Sequence, residues 1–92
     1  MTNDANILSE IGEEAMWMQL AEECSELSQA ALKMARIIHD TNPTPITHDE
    51  ALRMVFEEYT DVMQCASYLN LMPDYEQIKV KEARWINRIM NQ

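Results

Sequence analysis

Gly12 is the only glycine in this chain, and its three prolines stand at positions 43, 45 and 73. Glycine and proline are the strongest local punctuators of a fold. A chain with so few of them turns in few places, so long helices are expected and a meander of short strands is not. With 92 residues and 47% hydrophobic content it has the makings of one small globular domain.

The hydrophobic spacing agrees with that expectation. Residues 1–12 are polar and mixed, and read as an N-terminal arm or a short helix. Residues 13–92 read as a single helical domain. From Glu13 to about His39, the residues Leu20, Cys24, Leu27, Ala31, Met34 and Ile38 recur at alternating steps of four and three. That is an apolar stripe on a helix. The helix must stop before Pro43, because the residue before a proline resists the α region. Asp40 to Ile46 is the clearest loop. Thr47 with Glu50 three residues on is a capping box, so a second helix starts there. Its stripe is Leu52, Val55, Tyr59, Val62, Ala66 and Leu69, and its end falls near Leu71. Asp74 is a candidate N-cap for a third helix from about Tyr75 to Met90. The class is all-α, with antiparallel helices. Met16, Trp17, Met18 and Leu20 make the first long helix apolar over more than one face. A second copy covering them would complete a four-helix-type bundle, as a homodimer or homotetramer.

One pattern occurs twice. Leu20-Ala21-Glu22-Glu23-Cys24-Ser25-Glu26-Leu27 returns 35 residues later as Val55-Phe56-Glu57-Glu58-Tyr59-Thr60-Asp61-Val62. Each copy sets two acids at i and i+3, neighbours on a helix surface. At 100° per residue, Glu23 and Glu26 share one side of the first helix, and Glu58 and Asp61 the matching side of the second. Glu22 and Glu57 point outward as solvated residues. Side by side, the two helices converge four carboxylates. Such a group repels itself unless a cation sits within it, and all-oxygen ligands suit Mg²⁺ or Mn²⁺. Glu23, Glu26, Glu58 and Asp61 are therefore the candidate metal ligands. Lys33 stands seven residues after Glu26 on the same face. Lys81, Arg84 and Arg88 form an i, i+3, i+7 stripe on the last helix.

Other functions are disfavoured. Only His39 and His48 are present, without the Glu-x-x-His spacing of di-iron bundles and without a zinc ligand set. A net charge of −9 with seven basic residues is a poor footprint for a nucleic-acid polymer. No apolar run approaches the roughly 20 residues of a membrane span. The first 15 residues lack the apolar core of a signal peptide. Cys24 and Cys65 read as small buried hydrophobes in a reducing, cytoplasmic setting.

At Glu23-Cys24-Ser25-Glu26 and Glu58-Tyr59-Thr60-Asp61 the chain resembles the MazG-like, all-α nucleoside triphosphate pyrophosphohydrolases. That family carries Glu-x-x-Glu on one helix and Glu-x-x-Asp on a following one. Gly12 to Leu27 looks especially like its small, often phage-encoded members. Lys81 to Arg88 is similar to its basic last helix. The resemblance spans roughly residues 12–90, with departures at the two-proline loop and at Trp85, where relatives often carry a smaller aliphatic residue. It implies a Mg²⁺-dependent hydrolase that splits a nucleoside triphosphate into a monophosphate and pyrophosphate, with Glu23, at the flank of its stripe, the candidate to take a proton from the attacking water, and Lys33, Lys81, Arg84 and Arg88 the candidates for binding the substrate's phosphates. The alternative of a different class is a non-catalytic, acidic helical protein that packs against a regulatory partner.

Overall fold

The computed structural model describes residues 4–39 and 45–92. Within them are four helices and no strand: α1 (Asp4–Ile11), α2 (Glu13–His39), α3 (His48–Tyr68) and α4 (Tyr75–Met90). The short-helix option for the N-terminus is the one adopted. Most of the proline loop, 40–44, lies outside the described residues.

Each helix boundary has a local cause. Gly12 separates α1 from α2 at φ +97°, a conformation that costs a residue with a Cβ but not glycine. The capping box at α3 is complete. The Glu50 amide donates to Thr47 Oγ1 at 3.1 Å, and the Thr47 amide donates to Glu50 Oε1 at 3.0 Å. Asp74 caps α4 by accepting from the Gln77 amide at 3.0 Å. α3 ends earlier than the expected Leu71. Asn70 takes a left-handed φ of 60°, its amide donates to the Ser67 carbonyl, and the Leu71 amide donates to the Ala66 carbonyl. That is a Schellman closure with asparagine in the place glycine usually holds.

α2 and α3 form an antiparallel hairpin. Met16 stands with Cys65, Glu23 with Asp61, Glu26 with Glu58, and Ala30 with Met54, down the length of the seam. The buried residues among those described are Met16, Ala30, Ala51 and Cys65. The seam keeps Leu20, Leu27, Met34, Val55, Val62, Ala66 and Leu69 of the expected stripes half-buried, but it also takes in the residues just before the others, Glu23, Ala30, Ile37, Ala51 and Glu58. Cys24, Ala31 and Ile38 on α2, and Leu52 and Tyr59 on α3, are exposed instead of buried. Cys24 is a correction in particular: it is exposed while Cys65 is buried, and both thiols are free.

The hairpin has two unlike faces. Residues one step after a seam position include exposed apolar side chains on both helices: Trp17, Cys24, Ala31 and Ile38 on α2, and Leu52, Phe56, Tyr59 and Met63 on α3. One step is about 100° on a helix, taken in the same sense along each chain direction. For antiparallel helices that rotation brings both stripes to the same side of the layer. Residues one step before a seam position are polar and line the opposite side. α1 lies on that polar side, with Ile7 and Ile11 beside Gln19, Gln64 and Tyr68.

α4 packs on no other described helix, and every residue along it is exposed. Its apolar residues, Ile78, Ala83 or Trp85, Ile86 and Ile89 by helical spacing, meet no other described helix of the chain. The radius of gyration is accordingly 17.3 Å, against about 12 Å for a compact chain of this length.

Candidate metal centre

The acids converge at the middle of the α2–α3 seam. One carboxylate oxygen each from Glu23, Glu26 and Glu58 lies within 4.8 Å of the others. Glu23 is within hydrogen-bonding reach of Asp61, and Glu26 of Glu58, so the four carboxylates form two pairs across the seam. Glu23, Glu58 and Asp61 are half-buried and Glu26 is exposed. Glu22 and Glu57 are exposed on the outer sides, as their helical phase requires.

Their electrostatics are those of an uncompensated anionic site. Partial burial, then the Glu26 and Asp61 charges, raise the Glu23 carboxyl above the usual carboxylate range. Gln19 Nε2 donates to Glu23 Oε1 at 3.1 Å and partly opposes this. Partial burial and then Glu26 raise Glu58, with Asp61 and Glu23 adding to the effect. Glu58 Oε2 is buried and accepts no hydrogen bond. An orphaned, buried carboxylate oxygen is costly. It stands among oxygens that can offer it no donor while they are ionised. A divalent cation resolves both problems at once. The ~4.2 Å across a Mg²⁺ octahedron, twice its ~2.1 Å bond, is comparable with the observed spread of oxygens. The residues present fit a hard, oxygen-seeking ion such as Mg²⁺ or Mn²⁺. Below the cluster, burial and then the charges of Glu23 and Asp61 push the Cys65 thiol up, which keeps it a neutral packing group.

Beside the cluster, on the polar side, runs an open groove of about 350 Å³. Glu26 and Glu58 form one end, and Gln29, Lys33 and Arg36 line its α2 wall. Lys33 is thus brought to the acids as its spacing suggests. Arg36 joins it, and the sequence reading passed over this residue. The available signal was periodicity: Gln29, Lys33 and Arg36 follow Glu26 at steps of three, four and three. Lys81, Arg84 and Arg88 are not brought to the cluster within one chain, because α4 extends away from the hairpin.

Comparison with known protein families, characterised proteins and solved structures returned no match. None of the described helices is long and apolar enough to cross a membrane.

Proposed function

We propose that the protein is a Mg²⁺-dependent nucleotide hydrolase that cleaves a nucleoside triphosphate to a monophosphate and pyrophosphate. The observation that carries this reading is the cluster of the Glu23, Glu26 and Glu58 carboxylates, with Glu58 Oε2 buried and unpartnered, beside a groove that Lys33 and Arg36 line. Glu23, Glu26 and Glu58 would hold the ion, with Asp61 at hydrogen-bonding reach of Glu23 to orient it. When bound, Mg²⁺ lowers the pKa of water and offsets charge on phosphate oxygens.

The chain's own side chains supply the rest. Lys33 and Arg36 offer cationic donors to the phosphate oxygens that face away from the acids, and Gln29 adds neutral donors. Glu23 accepts a proton from water, a role its raised proton affinity favours. Attack at the α-phosphorus releases pyrophosphate as one piece. The test is a panel of ribo- and deoxyribonucleoside triphosphates with Mg²⁺, reading pyrophosphate and orthophosphate separately. Pyrophosphate alone is the expected product; orthophosphate alone would overturn the assignment.

The exposed apolar faces favour self-association as part of this reading, with a second copy completing a four-helix-type core. They also favour the rival reading, an acidic helical protein that binds a partner without turnover. Thermal melting separates the two. The hydrolase is stabilised by Mg²⁺ and further by Mg²⁺ with nucleotide, and a purely acidic docking surface is not.

A further inference from the structure

α4 carries a complete amphipathic pattern with nothing against it. Ile78, Trp85, Ile86 and Ile89 share one face, and Lys81, Arg84 and Arg88 flank it. We propose that α4 docks on the apolar face of the α2–α3 hairpin of a second copy of this chain, each copy lending its helix to the other. This deepens the self-association proposed above and rests on it; it does not depend on the chemistry at the acids.

Four observations support this pairing. The chain exposes 7549 Å², where a compact monomer of its mass exposes about 5,500 Å². The excess, about 2,000 Å², is more than the ~800 Å² each partner gives to a standard interface. Shape agrees as well. Between Trp17 and Ile38 the hairpin's exposed stripe on α2 carries small residues, Ala21, Cys24, Ala31 and Ala35, while the α4 face carries large ones. Large side chains seated over small ones bring two helices into close contact. Length matches too: α4 has 16 residues, about 24 Å, and Ala21 to Ala35 spans about 21 Å.

Charge selects the partner. α4 holds four bases and two acids, and the rest of the chain three bases and fourteen acids. A basic helix is therefore drawn to a second copy of this acidic body. An anionic membrane, the other surface a basic amphipathic helix fits, repels that body. The exchange is placed in trans because α4 contacts no other described helix of its own chain.

The test uses the full chain. Trp85→Glu lies on an exposed helix, so its own hairpin still folds, which far-ultraviolet circular dichroism checks. Light scattering should give a multiple of the 10.7 kDa chain mass for the wild type and the single-chain mass for Trp85→Glu. A wild-type monomer overturns self-association altogether. An oligomer that survives Trp85→Glu overturns α4 docking and leaves self-association standing. Native Cys24 then reports the strand of origin. Under mild oxidation, Ile78→Cys, Ile86→Cys and Ile89→Cys are compared with wild type. At least one should form a disulfide-linked dimer through Cys24; a link within one chain would show that α4 folds back in cis and overturn the exchange.

Discussion

Glu26 on α2 and Glu58 on α3 face each other across the helix seam within hydrogen-bonding reach, and when both are ionised neither has a proton to give. Without a cation this pair weakens the hairpin it sits in; on the proposed reading a divalent ion would tie the two helices together. Glu26→Gln and Asp61→Asn keep shape while each removes a charge. Each is expected to cut Mg²⁺ affinity and turnover by about 100-fold or more and to leave the metal-free protein equally or more stable. Glu22→Gln and Glu57→Gln, both outward, should do neither. Mg²⁺ titration followed by thermal melting reads both quantities. Equal losses at Glu22 and Glu26 would remove the site.

The pH dependence of the metal-free fold follows from the same groups. Glu23 and Glu58 have folded-state pKa values above the ordinary 4.5. Above those values both are ionised and the hairpin is weakened. As pH falls through them the folded state takes up protons first, so stability rises, and the gain is complete near 4.5. Glu50 works the other way. Its carboxyl is held below 4.5 by the hydrogen bonds to Thr47. Its contribution is present above 4.5 and is lost as pH falls through its lower folded value. Urea melts without metal should therefore show a maximum near pH 4.5 instead of at neutrality. With saturating Mg²⁺ the upper limb reverses, because protons compete with the ion for the same oxygens.

Thr47→Ala removes the hydroxyl that accepts from the Glu50 amide. Loss of an N-cap costs about 1 kcal/mol, a fall in melting temperature of about 4 to 8 °C for a domain this size. Calorimetry should find this fall with Mg²⁺ affinity unchanged, since the cap is remote from Glu58. A concurrent loss of metal binding would mean that the start of α3 and the site are coupled.

The sequence predicts helix boundaries well where the capping chemistry is local, as at Thr47 with Glu50 and Asp74 with Gln77. It misplaces the end of α3 because asparagine, not glycine, takes the left-handed position. The stripes hold at Leu20, Leu27, Met34, Val55, Val62, Ala66 and Leu69 and miss by one residue at Cys24, Ala31, Ile38, Leu52 and Tyr59, for a different reason. α2 carries adjacent apolar pairs, Met16 and Trp17, Ala30 and Ala31, Ile37 and Ile38, and so has two apolar stripes side by side. Hydropathy finds both and does not say which meets α3. The acids hold the answer, because Glu23 and Glu58 lie on the seam itself. Their pairing was legible from the repeated motif; the free face of α4 was not, since periodicity predicts that a stripe is covered, never by which chain.

The groove bases provide the last prediction. Lys33 and Arg36 lie along the same groove as Glu26 and Glu58, so they should meet substrate phosphate without touching the reacting water. Lys33→Met and Arg36→Met preserve the apolar stems and delete the charge. A hydrogen bond to a charged group is worth about 1.5 to 3 kcal/mol, so each change should raise KM by about 10- to 100-fold. Because the interaction is made equally in the ground and transition states, kcat should hold within a few fold. Thermal stabilisation by Mg²⁺ alone should survive both substitutions, while the added stabilisation by nucleotide should shrink. Should kcat fall with KM unchanged, these bases act on the transition state, and the groove is then part of the reacting centre and not only a binding wall for phosphate.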